Sequence, residues 1–295
     1  MPTRSFVLIR KKFVLVRQRQ QLIKKVWKKC TERKLIYITT MTTNLLLLLA
    51  VGALSGAVSG YLGSFMVLRR MSLVGDALSH VALPGIAVAL AIGVNPMLGA
   101  LLALTLAAVG IWYLSDHSEI YPEALVGIFF TASLAAGILI TPEVELLEAL
   151  FGDIDKIGPI DAIFTFIGAV TIFAVTMAVS KKLLLMVVSK DLAKSQKIKT
   201  SKIDLIYLLL VCGVVALGVK FLGTLLTGAM VIIPAVTAKN IAGNIKAYQI
   251  LSVVLGTLAT AAGILIASYF KFPSGPTIVL TAISFFIFSF VFKKR

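Results

Sequence analysis

An aspartate and a histidine four residues apart, Asp76 and His80, stand inside SLVGDALSHVALPGIAVALAIGV (72–94), an apolar run of membrane-crossing length. The chain has only two histidines, and this is one of them. An ionisable group inside lipid costs several kcal/mol, so it marks by default a functional site with a nearby partner. Spacing i, i+4 places both residues on one helix face, a turn apart. A carboxylate oxygen and an imidazole nitrogen so placed could grip a borderline divalent cation. Pro84 lies four residues further on and lacks an N–H, which deprives the His80 carbonyl of its helical donor. That oxygen is either a third cation contact or simply the mark of a kink. The plainer reading of Asp76 and His80 is packing, each satisfied by the other or by a neighbouring helix.

Zinc usually takes four ligands, and one chain supplies one acid and one histidine here. A twofold dimer would bring two copies together as an O₂N₂ set, so the pair points to a symmetric homodimer. His117, in SDHSEIYP with Asp116 and Glu119, reads chiefly as a solvated loop histidine, with a metal exit contact as the lesser reading.

The elements that must carry this pair are membrane helices. The 295 residues are 59% hydrophobic and 14% charged, where soluble domains carry about 25% charged residues. Apolar runs of about 17–25 residues mark spanning helices, and the chain offers eight or nine. They fall at 44–67, 72–94, 97–114, 123–141, 159–180, 203–219, 224–238, 248–270 and 277–292. The fold class is therefore an all-α integral membrane protein, a polytopic helical bundle. The seventh run is short and interrupted by Pro234, which leaves a half-helix open. Asn95-Pro96 and Tyr121-Pro122 set a proline in a helix's first turn, and Thr141-Pro142 ends the fourth run.

Charge orients the bundle. Residues 1–40 hold twelve of the 29 Lys/Arg against the single acid Glu32, so most of the net charge of +16 sits in that extension. A nucleic-acid partner is a poor reading of such a distribution. Arg69-Arg70, the segment 181–202 with seven lysines, Lys239 with Lys246, and Lys293-Lys294-Arg295 all favour the cytoplasm. Nine spans put all four groups on one side. The same count leaves 142–158 outside, with Glu143, Glu145, Glu148, Asp153 and Asp155 as an acidic rim that would concentrate cations or serve only as a solvated loop. The basic extension conflicts with this scheme, because residue 41 would lie outside. Either the seventh run does not cross, or 1–40 stands apart from a transmembrane domain at 41–295. A start at Met41 and an amphipathic surface anchor are both open for it.

Several chemistries are excluded. No G-x-x-x-x-G-K-[ST] phosphate loop occurs, so this chain is not expected to hydrolyse ATP itself, and the protein is not read as an enzyme. No H-E-x-x-H zinc-protease motif occurs, and Cys30 and Cys212 form no metal-ligating or disulfide framework.

The run GSFMVLRRMSLVGDALSHVALPGIAVA resembles the signature of permease subunits of zinc and manganese ABC importers. LFGDID (150–155), KFLGTLLTGAMVIIPAVTAKNIA (220–242) and FPSGPTIVLTAISFF (272–286) are similar to that family in the same order. The resemblance spans about 44 to 292 and lacks a counterpart only for 1–40. It implies a fold like that of type II ABC importer permeases and a homodimer in the cell membrane. It also implies cytoplasmic ABC ATPase subunits and an extracytoplasmic metal-binding protein. Asp76 and His80 then correspond to metal-contacting positions. The segment 234–249, with Pro234, Ala238, Lys239, Asn240 and Lys246, looks like the short cytoplasmic helix that engages the ATPase. No cofactor is expected to stay bound; zinc or manganese, or iron, is the cargo, moved inward by alternating access. The alternative is an ion-coupled secondary transporter of divalent metals, using the same pair as a relay.

Overall fold

In the computed structural model, residues 45–140 and 159–292 are described. The basic extension 1–40, the acidic segment 142–158 with LFGDID, and the terminal Lys293–Arg295 lie outside the described residues. Ten α-helices follow one another among the rest: α1 Leu45–Leu68, α2 Val74–Ala91, α3 Pro96–His117, α4 Pro122–Ile140, α5 Pro159–Val188, α6 Lys190–Ser195, α7 Thr200–Leu222, α8 Thr224–Ile241, α9 Ile245–Phe270 and α10 Ser274–Ser289. A 3₁₀ turn, Phe290–Phe292, closes the order. Seven helices are long and apolar enough to cross a membrane, and two shorter apolar segments, Leu226–Ile241 and Ser274–Ser289, complete the nine runs read from the sequence.

Local chemistry sets the boundaries. Asn95 caps α3 by accepting from the Met97 N–H at 2.9 Å, with Pro96 just inside. Asn244 does the same for α9 through Ala247 at 2.8 Å. Such caps satisfy N–H groups that the first helical turn leaves unpaired. Two extents differ from expectation. The lysines at 181 and 182 do not end the fifth run; α5 continues to Val188, because lysine is a good helix former and its charge can reach water from a helix surface. Pro234 does not end α8, which runs seven residues past it and gives up only the bond that the Met230 carbonyl would have accepted.

Between α7 and α8 stands one residue, Gly223, at φ 73° and ψ 172°. Only glycine adopts that backbone without cost, and it folds the two helices back as a hairpin. Packing then centres on α2, which touches α3, α4, α7 and α8. Over half of its apolar window is buried (56%), against 17% for α4, so α2 is interior and α4 is peripheral. On the other side, α1 and α9 cross along a seam of small residues. A Cβ on Gly56 would meet the Gly256 carbonyl oxygen at 2.5 Å, and Gly52 and Gly60 face Thr260 and Ser252. Small residues let membrane helices approach to backbone contact, where van der Waals packing holds them. Tyr248 on α9 adds a hydrogen bond from its hydroxyl to the Ser64 carbonyl at 3.1 Å.

Candidate metal-binding turn

The cation-binding candidate is built from the end of α1 outward. Helix α1 closes with the Met71 N–H bonded to the Met66 carbonyl (2.9 Å) and the Arg70 N–H to that of Val67 (3.2 Å), with Arg70 left-handed at φ 58°. That is a Schellman closure with arginine where glycine is usual. It reverses the chain within a few residues and lays Gly75 of α2 against the Met66 side chain. The first turn of α2, which includes Asp76, therefore packs beside the last turn of α1.

Asp76 and His80 occupy the first two turns of α2, and both are half-buried. They are close enough for their charges to interact. The imidazole sits edge-on to Phe130 of α4, with ring centroids 5.3 Å apart. Its Nδ1 is buried with no hydrogen-bond partner, and no hydrogen bond or ion pair reaches the Asp76 carboxylate among the described residues. A buried ring nitrogen without a partner calls for an explanation, and an ion is a standard one. Among the described residues no group of three or more His, Cys, Asp or Glu side chains could hold a metal. Asp76 and His80 alone would fall two short of the four ligands that zinc favours.

Helix α8 stands against this turn more closely than the sequence shows. A Cβ on Gly228 would lie 2.6 Å from the Asp76 Cα, 2.7 Å from its Cβ and 2.8 Å from its N, all nearer than atoms can pack. The Ser79 hydroxyl, fully buried, reaches both the Asp76 carbonyl (2.7 Å) and the Thr224 carbonyl at the hairpin tip (2.5 Å). Pro84 lies one turn beyond His80, facing Gly137 of α4, and α2 passes through it unbroken.

A second polar cluster lies at the basic end of the bundle. Arg69 pairs with Asp204 of α7, whose other oxygen is 3.5 Å from the Lys190 Nζ of α6. The guanidinium also stands 4.5 Å over the Tyr207 ring. Trp112 Nε1 of α3 donates to the Ser201 carbonyl at 2.9 Å, and Arg69, Asp204, Tyr207 and Trp112 line a cavity of about 40 Å³ with Asp116 and Pro122. The clue to Asp204 was present: it is the last acid in the sequence, at the head of an apolar run and just after the lysine-rich segment. His117 ends α3 exposed, stacked on Tyr113 and with its Nδ1 2.9 Å from the Tyr113 carbonyl.

The expected short helix at 234–249 takes another form. Pro234, Ala238, Lys239 and Asn240 are continuous with α8, Lys246 lies in the first turn of α9, and residues 242–244 form the turn between them. Pro234 and Ala238 are buried, and Asn240 donates to the Ser289 hydroxyl at 2.9 Å; Lys239 and Lys246 are exposed. The separate short helix among the described residues is α6, capped by the Ser189 hydroxyl on the Leu192 N–H at 3.2 Å.

Comparison with known proteins places this geometry. Residues 41–293 match the profile of the ABC 3 transport family. The manganese import system permease protein ScaB of Streptococcus parasanguinis is 34% identical over 81% of this chain and 87% of its own length. The high-affinity zinc uptake system membrane protein ZnuB of Haemophilus influenzae is 28% identical over 84% of this chain and 97% of its own. Among solved structures, PsaBC from Streptococcus pneumoniae, in complex with Fab, superposes with a TM-score of 0.74 at 33% identity, covering 84% of this chain and 91% of that one.

Proposed function

The chain belongs to the ABC 3 transport family, and on that premise we propose that it is the membrane-spanning permease of an ATP-driven importer for a divalent transition metal, zinc or manganese. The cation passes the Asp76/His80 turn, held there briefly and released inward as the bundle alternates between outward and inward access. The observation that carries this reading is the pair itself: a carboxylate engaged only by the charge of His80, and a buried ring nitrogen with no hydrogen-bond partner, one turn apart on an interior helix. Oxygen and nitrogen donors suit zinc, manganese and iron alike. The relatives named for manganese and for zinc support the first two.

Two ligands per chain make half a site, so the working unit is a homodimer in which both copies meet one ion. ATP is hydrolysed on separate subunits, because the sequence has no phosphate loop. Those subunits dock on the face bearing α6, the turn at 242–244 and the exposed Lys239 and Lys246. A metal-binding protein delivers the ion to the opposite face. An ion-coupled secondary transporter is the weaker reading, since family membership favours ATP-driven transport.

The test is metal uptake by cells lacking the gene and complemented with Asp76→Ala or His80→Ala, with zinc and manganese supplied separately. Loss of uptake in both variants, with normal amounts of dimer in the membrane, is the expected result. Uptake retained in both would remove the site assignment.

A further inference from the structure

Helix α8 touches the backbone of three other helices within its first two turns. Gly228 lies against the Asp76 backbone of α2, Gly63 of α1 lies against the Val231 carbonyl, and a Cβ on Gly218 of α7 would meet the Thr227 side chain. Each contact involves a glycine where a side chain would have to push the helices apart. The Ser79 hydroxyl adds a polar tie between the Asp76 turn and Thr224, the first residue of α8. From Gly228 the helix runs unbroken through Pro234 to Ile241, about 20 Å at 1.5 Å per residue. It ends at the turn 242–244 on the basic face, with Asn240 held by Ser289. A helix without slack at either end works as a strut, because close-packed interiors transmit displacement rather than absorb it.

We infer that α8 sets the position of Asp76, and that Gly228 and Ser79 are the positioning residues through which movement of the turn at 242–244 reaches the cation-binding turn. This inference rests on the reading that Asp76 and His80 hold the transported ion. Neither residue needs to touch the ion. Gly228 fixes how closely the strut approaches, and Ser79 fixes its register along α2. A metal site loses affinity when a ligand is displaced by a fraction of an ångström, so slack at this contact appears in the metal dependence before it appears in stability.

The experiment measures initial uptake of manganese and of zinc, each alone, by the complete transporter in proteoliposomes, with ATP consumption recorded in parallel. Rates are taken per inserted permease. Gly228→Ala is expected to raise the KM for metal about tenfold through overpacking, and to raise the ATP hydrolysed per ion carried. Ser79→Ala, which adds no bulk, is expected to raise KM about threefold. A variant that lowers only the amount of inserted protein or the maximal rate, with KM and the ATP-to-metal ratio unchanged, shows a packing role alone and overturns the inference. Should Gly228→Ala fail to insert, Ser79→Ala decides by the same criterion. Asp76→Ala is run beside them. If it abolishes uptake while the positioning variants keep normal KM, only this inference falls; if it retains uptake, the site reading falls and this one with it.

Discussion

Removing either partner of the Arg69–Asp204 pair should destabilise the bundle unequally, and the structure says which way. The Arg69 side chain is 10% exposed and that of Asp204 is 24% exposed. Asp204→Ala strands a nearly buried cation beside the Tyr207 ring. Breaking a buried pair from one side costs about 3–5 kcal/mol; the partial exposure of Asp204 lowers that to about 2–3 kcal/mol. Arg69→Ala leaves Asp204 facing Lys190 at 3.5 Å and some solvent. Its cost is lost packing and the cation–π contact, about 1–2 kcal/mol. Unfolding of the purified permease in mixed micelles, by titration with a denaturing detergent, measures both. The double variant should fall short of the sum of the singles by about 1 kcal/mol or more, because the two residues share one interaction. If Arg69→Ala proved the costlier change, or if the coupling were under about 0.5 kcal/mol, the burial argument would be refuted.

Two further outcomes follow from the packing. Gly56→Ala must open the α1–α9 seam and should cost about 1–3 kcal/mol in the same titration, whereas Gly127→Ala, with open space around its Cβ, should stay within about 0.5 kcal/mol. Ser189→Ala removes the cap of α6 and should weaken that helix by about 1 kcal/mol, read as faster amide exchange at 190–195 with global stability unchanged.

The sequence spelled out the helices because membrane spans are written in length and hydropathy, and prolines at 96 and 122 mark where they start. Asp76 and His80 were legible for the opposite reason, as costly groups in an apolar run. Their surroundings were not. Asp204 pairs with an arginine 135 residues earlier, and nothing local announces such a partner. Gly228 is one of 22 glycines, and only its neighbour across the helix interface distinguishes it. The segment 181–202 fell between two apolar runs because lysines interrupt the hydropathy; they favour the cytoplasm equally well from the end of α5 and from α6. Pro234 suggested a broken helix, but a buried α8 held by its neighbours tolerates one missing hydrogen bond.

The single residue between α7 and α8 bears on how the protein is made. No loop separates the two helices that could lie across the far face while the second waits to insert. With one residue between them, α7 and α8 are expected to enter the bilayer together, already folded back at Gly223. The apolar part of α8, Leu226–Ile241, falls short of the roughly 20 residues an independent span needs. Its hydroxyl-bearing first turns, with Thr224 and Thr227 buried, are sheltered by protein rather than by lipid. The structure therefore ties α8 to α7 as one unit, and the direction of the chain after Gly223 follows from that reversal.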